Sequence, residues 1–440
     1  MISLERYVET AETASVHQPS GVVLEVVGLL VEVGGIQAKV GDTLQVVSDN
    51  RQLEIEVTGF RGGRLLATPL GDIAGLQPGA RAFRSERGTK IRVGADLLGR
   101  IVDAFGNPLD DLGPLTAKVE YPLLAAPPPA VARRPIQQPF CTGVRTIDGL
   151  LTLGGGQRVG IFAGAGVGKS TLLGMICRSS QADVNVIGLV GERGRELNEF
   201  VRDVLGPEGL ARSVVIAATS DQPPLVRARA AHAATAIAEY FRDQGKSVLL
   251  VMDSVTRYAM ALREAALAIG EPPATKGYPP SVFAALPRLL ERAGTAGGEG
   301  MITALYTVLV EGDDLSDPVA DATRSILDGH IVLTRPLADR GHFPAIDVLG
   351  SVSRLAGALS SPVQLRAAAQ VRDMMATYRS AIDLIQVGAY VPGSDPKVDA
   401  ACRSMPEVDA FLRQSINERS SLEEALLRVQ RLAILSGAQR

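Results

Sequence analysis

The chain has 440 residues, 46% of them hydrophobic and 21% charged, with a formal net charge of −3. That length exceeds one ordinary core, so two or three domains are expected, and the near-neutral balance excludes a global basic field for nucleic acid. Cys141, Cys177 and Cys402 lie far apart without metal spacing and the four histidines are scattered, which reads as reduced thiols in a cytoplasmic protein and no metal cluster.

At the N-terminus, "MISLERYVET" carries no apolar signal-peptide core. The run "GVVLEVVGLLVEVGG" is broken by Glu25 and Glu32 and is too short to span a bilayer. From residue 20 to about 90, "VVLEVVGLLVEV", "TLQVV", "LEIEVTGF" and "RLLATPL" read as strands punctuated by Gly-containing turns. They predict a small β-barrel that is a structural or oligomerising module, poor in the aromatics that base stacking uses. "YPLLAAPPPAVARRPIQQP" follows as a Pro-rich, extended connector.

Between about 140 and 355, apolar strands alternate with helical segments. "QRVGIFAG", "VNVIGLVGE", "SVVIAATS", "SVLLVMDS", "MITALYTVLV" and "HIVLTR" predict a mostly parallel sheet with helices on both faces. After the first of these strands comes "AGAGVGKST", residues 163–171, and then the helical "STLLGMICRSS". Strand, loop and helix in that order are what a phosphate loop needs. Gly164, Gly166 and Gly168 let the backbone turn its N–H groups inward, with Ala165 and Val167 between them. Lys169 can reach the β- and γ-phosphates, Ser170 offers a hydroxyl to Mg²⁺, and Thr171 follows it. Lys169 is expected to face solvent, so that its removal would change stability by only about 0.5 kcal/mol.

Two further strand ends are polar. "LLVMD" ends in Asp253, which can hold the shell of Mg²⁺ or cap the helix that follows; the two roles are compatible. "IGLVGERGRE" ends in Glu192 and Arg193. They read either as a water-polarising carboxylate with a phosphate-pairing arginine or as a charged pair at a solvated helix start. Residues 361–440 read as helices broken at "VPGSDP".

Taken in order, "GERGRE", "VMDSVTRYA", "GYPPSVFAALPRLLERAG", "YTVLVEGDDLSDPVADATRSILDGHIVLTR" and "HFPAIDVLGSVSR", together with the phosphate loop, resemble the ATPases of type III protein secretion. That family comprises the flagellar export ATPase and the injectisome ATPase, and is related to the subunits of rotary ATP synthases. The resemblance covers roughly residues 20–435. It implies a β-barrel N-domain (1–90), a RecA-like P-loop ATPase core (91–360) and a helical C-domain (361–440), assembled as a homohexamer that hydrolyses ATP with Mg²⁺. It also implies roles for residues. Lys169 and Ser170 hold phosphate and metal, Glu192 activates water, Arg193 and Arg257 lie near the γ-phosphate, and Asp253 is the metal-shell acid. Phe343 stacks on adenine, and Arg354 is a finger reaching a neighbouring subunit. "GEPPATKGYPP", residues 270–280, matches a loop facing the ring's centre and a stalk protein. The Asp253–Ser254 peptide is expected to be cis. Ala163 and Phe343 depart from the family's usual Gly and Tyr without putting ATP binding in doubt.

The implied partners are the central stalk, a negative regulator or peripheral stalk, the export gate and chaperone–substrate complexes, at the cytoplasmic face of the inner membrane. No nucleic acid is expected. Because one chain carries both Glu192 and Arg354, it can supply both halves of a site. That distinguishes it from a rotary-synthase catalytic subunit, which depends on a partner chain. A ring RNA translocase of the transcription-termination type would call for aromatic and basic contacts in the barrel. "QVGAYVPGSDP" leans flagellar and "LSDPVADATRSILDGHIVLTR" leans toward the injectisome, so the branch stays open.

Overall fold

The computed structural model describes residues 19–48, 51–85, 88–310 and 316–437; "MISLERYVET" and the "EGDDL" of the fourth resemblance motif fall outside them. The chain divides into two compact units. One gathers the described residues up to Lys90 with Pro223–Val226 and Glu264–Pro272. The other comprises Ile91–Gln222, Arg227–Arg263 and the described residues from Pro273 onward.

The first unit holds a closed barrel of β1 (Ser20–Val27), β2 (Leu30–Gly34), β3 (Thr43–Ser48), β4 (Arg51–Arg61), β5 (Arg64–Pro69) and β6 (Arg81–Arg84), in the order β1-β2-β5-β4-β3-β6. Alternation drives it. Val23, Val31, Val33, Leu44, Val46, Ile55 and Val57 point inward and are fully buried, and closure leaves no unpaired strand edge. The early apolar run is two strands: Gly28, at φ +56°, turns the chain between β1 and β2, where a residue with a Cβ would be strained.

The second unit is built on a nine-stranded sheet. Its main path uses β7 (Ile101–Val102), β8 (Arg158–Ala163), β9 (Val184–Glu192), β10 (Ser213–Thr219), β11 (Ser247–Asp253), β12 (Met301–Leu309), β13 (Gly329–Leu333) and β14 (Ile346–Ser353). Their order is β14-β13-β8-β12-β11-β9-β10-β7, with Gly294–Thr295 pairing β12 off that path. Every residue of β9 is buried, as expected of a central strand covered on both faces. The pairs from β7 to β13 along the path are parallel; β14 closes one edge antiparallel to β13. Neither β7 nor β14 was among the strands expected from the sequence.

Helices α1 (Arg145–Leu150), α2 (Lys169–Ser179), α3 (Gly194–Glu199) and α4 (Val255–Ala268) follow or flank these strands. Beyond them lie α5 (Pro362–Gln386), α6 (Pro396–Leu412) and α7 (Leu422–Gly437). Ser361 and Gln364 form a capping box on α5, and Asp395 caps α6. Val371 and Met374 of α5, Phe411 of α6 and Val429 of α7 belong to the same apolar core as Leu173 and Ile176 of α2, so the C-terminal helices share the core of the phosphate-loop helix. The mostly parallel sheet with a glycine-rich loop leading from β8 into α2 has the RecA-like P-loop architecture, with a barrel before it in the chain and helices after it.

Candidate active site

Parallel strands bring their carboxyl ends to one edge of a sheet, where such folds bind ligands. β8 runs directly into residues 164–168 and then α2. Gly166 and Gly168 take φ +75° and +90°, so both are glycine for conformational reasons. Gly164 and Val167 are buried, Ala165, Gly166 and Ser170 are exposed, and Gly168 and Thr171 are half-buried. Arg335, just after β13, donates to the Ala165 carbonyl at 2.8 Å and so ties the loop to the end of that strand. The Phe343 ring lies over Gly168: a Cβ there would meet its carbons at 3.4 Å.

Lys169 sits among buried acids. Its Nζ is 2.5 Å from Asp253 Oδ1 and 3.7 Å from Glu192 Oε1, and its side chain is only 13% exposed. This corrects the expectation of a solvent-facing charge, because β9 and β11 are adjacent and present their terminal carboxylates to it. Asp253 also accepts from the Thr307 hydroxyl at 2.7 Å; Thr307 lies one residue beyond the Met252–Tyr306 pair that sets the β11–β12 register. The cap of α4 is Ser254, whose hydroxyl accepts from the Arg257 N–H at 3.2 Å, which leaves the Asp253 carboxylate free for the site. The Asp253–Ser254 peptide is cis.

Glu192 receives Arg257 Nε at 3.1 Å. Burial first, then a hydrogen bond with Glu196 and the Asp253 charge, push its pKa up to about 7 against the pull of Lys169 and Arg257. The same hydrogen bond holds Glu196 below the ordinary carboxylate range. A carboxyl poised near neutrality suits proton acceptance from water. Arg193 is turned to solvent, 76% exposed, and pairs with Glu196 at 3.2 Å.

Ser170 and Asp253 are hard oxygen donors. Among the described residues no group of three or more His, Cys, Asp or Glu could hold a metal ion. A hydroxyl and a carboxylate beside a phosphate cradle suit Mg²⁺, which keeps water and phosphate oxygens as its remaining ligands.

Arg354, like the solvent-facing Arg193, is not gathered with Lys169, Glu192, Asp253 and Arg257. Its N–H donates to Asp328 O at 3.0 Å, and Asp328 N–H donates to Arg158 O at 2.9 Å. Arg354 therefore stands level with Arg158, five residues before the end of β8 and about 17 Å of strand away from the phosphate-loop edge. It is exposed, its guanidinium donating to Arg324 O at 3.4 Å.

Thr307, Arg335 and Glu196 were missed as site residues in the sequence. The threonine in "ALYTVLV" and an arginine after "HIVLT" were signals of the same kind as Asp253, polar residues in or after a buried strand. Among the described residues no helix is long and apolar enough to cross a membrane.

Sheet, loop and acids define a P-loop ATPase. The family model of the ATP synthase alpha/beta nucleotide-binding domain matches residues 143–353, and that of the type III secretion EscN ATPase C-terminal domain matches 360–431. The chain is 49% identical to a flagellum-specific ATP synthase of Pseudomonas aeruginosa over 99% of this chain and 97% of that one. It is 48% identical to a type 3 secretion system ATPase of Xanthomonas euvesicatoria over 94% of each. The assembled EscN ATPase of enteropathogenic E. coli, solved with its central stalk EscO, superposes with a TM-score of 0.87 at 45% identity, over 94% of this chain and all of that one. The chain belongs to the family of flagellar and type III secretion ATPases. Its catalysis is ATP hydrolysis, and its work is type III protein export; the RNA-translocase and rotary-subunit readings are set aside.

Proposed function

We propose that the chain works as a homohexameric, Mg²⁺-dependent ring ATPase with one site at each interface. The phosphate-loop N–H groups and Lys169 bind the β- and γ-phosphates, Glu192 takes the proton of the attacking water, and Arg193 and Arg257 approach the γ-phosphate. Phe343 stacks on the adenine. Ser170 and Asp253 hold the Mg²⁺ shell, the bound ion neutralising charge on the phosphate oxygens. Arg354 of the neighbouring copy completes the site. The ring works against a central stalk at residues 270–280. It acts under a negative regulator or peripheral stalk, at the cytoplasmic face of the inner membrane, releasing chaperones and delivering substrates to the export gate. The assembled EscN with its stalk supports the ring and stalk; the proposal extends both to this chain.

One observation carries this reading. The β8–β13–β14 register holds Arg354 at the sheet edge opposite Lys169, farther than its side chain can reach, while Lys169, Glu192, Asp253 and Arg257 converge. Mixing Lys169→Ala with Arg354→Ala chains tests it. Mixed rings contain interfaces with an intact phosphate loop from one mutant and an intact finger from the other, so activity returns although neither mutant alone has any. No rescue in mixtures shown by mass measurement to co-assemble overturns the trans finger. Wild-type specific activity that does not rise with protein concentration does the same.

A further inference from the structure

We propose that Gln414 is a positioning residue for the nucleotide base: it fixes the backbone of Phe343 and thereby the ring over the phosphate loop. The inference rests on the reading of Phe343 as the adenine platform. Phe343 is 44% exposed, so packing does not wedge its ring in place. Its position is set by the main chain of the connection between β13 and β14. The 411–418 segment holds that connection at two points. Gln414 N–H donates to Phe343 O at 3.0 Å, and Arg413 Nη1 donates to Gly341 O at 3.4 Å.

Gln414 is itself immobilised to an unusual degree. It is 5% exposed, and its carboxamide has every strong donor and acceptor engaged. Nε2 donates to Gly143 O at 2.8 Å and to Glu418 O at 2.9 Å, while Oε1 accepts the Arg145 N–H at 2.9 Å. With the amide reversed, its oxygen would face two carbonyls, so only one orientation satisfies the network. Arg145 ties the same segment to α1, donating to the carbonyls of Phe411 and Arg413 and pairing with Glu418. Gln414 thus joins the start of α1, the end of the C-terminal segment and the Phe343 backbone. Replacing its side chain by an apolar one leaves Gly143 O, Glu418 O and Arg145 N–H short of partners inside the protein, and residue 414 moves off its seat.

The test compares ATP with inorganic tripolyphosphate, which has no base, in the full-length chain. In Gln414→Met the KM for ATP is expected to rise about tenfold, the scale of one lost contact, with kcat within about twofold of wild type. The inhibition constant of tripolyphosphate should stay unchanged, because the phosphate loop is untouched. Gln414→Asn, which keeps the amide one methylene shorter, should raise KM in the same direction but less. Phe343→Ala serves as the control and should raise KM for ATP as well. A wild-type KM in Gln414→Met, with KM raised in Phe343→Ala, overturns the Gln414 proposal alone. A wild-type KM in Phe343→Ala removes the platform reading and this inference with it. Parallel loss of tripolyphosphate binding makes Gln414 a general structural residue and also overturns the proposal. If Gln414→Met does not fold, Gln414→Asn decides by the same comparison, a wild-type KM again counting against it.

Discussion

The two edges of the central sheet treat charge in opposite ways. At the carboxyl edge, Lys169, Glu192 and Asp253 are largely buried and bound to one another, with Arg257 closing the cluster. At the other edge Arg354 stands exposed, its guanidinium within 3.4 Å of a backbone carbonyl. Buried charge must be matched within the chain or it destabilises the fold, whereas an exposed arginine costs nothing to keep and remains available to another molecule. One chain thus carries a self-consistent half and an open half of the proposed catalytic machinery.

Three measurements break or sharpen that contrast. Lys169→Ala should abolish turnover, by about a thousandfold or more, and should also destabilise the chain by about 2 kcal/mol, since two buried carboxylates lose their shared cation. Urea unfolding alongside steady-state hydrolysis checks both effects; an unchanged midpoint would mean that the cluster holds no stability. Arg354→Ala should lose about a thousandfold in kcat yet shift stability by no more than about 0.5 kcal/mol and leave nucleotide affinity near wild type. Equal destabilisation in the two variants would erase the difference between the edges.

The smallest effect is in pH. Glu192 has its folded-state pKa raised to about 7 from 4.5. Between those values the folded chain holds more proton than the unfolded one, so this group's contribution to stability falls as pH rises from about 4.5 to 7. Activity runs the other way: a base must be ionised, so kcat/KM should climb with pH and level off above about 7. In Glu192→Gln, nucleotide binding should persist while turnover is lost, and the pH slope of the melting temperature across that window should flatten. An unaltered slope would assign the proton to a different group.

Much of the buried edge was legible because it is written in short strings. "AGAGVGKST", "VMDS" and "GERGRE" each place a glycine turn or a polar residue directly after an apolar strand, and the barrel's alternation is equally local. The hairpin at Gly28 was not legible, since a single glycine inside an apolar run looks like strand. Thr307, Arg335 and Gln414 escaped for a different reason. Their partners Asp253, Ala165 and Phe343 lie 54, 170 and 71 residues away, and only strand register and the seating of the C-terminal segment bring them together. Arg354 could be named through resemblance, but its separation from the phosphate loop is a property of the antiparallel edge strand, which was not foreseen.

That edge strand has an arithmetic consequence. If each copy offers a loop on one side and a finger on the other, the contact is head-to-tail, and a linear row of n copies contains only n − 1 working junctions. One terminal copy always has a loop without a finger, and the copy at the other end has a finger with nothing to reach. Closing the row into a circle adds the missing junction without adding a chain. Every protein molecule then contributes to catalysis twice, once as host and once as guest. A single inactive copy consequently silences a junction on one side only, and which side it silences reports whether the host or the guest function was lost.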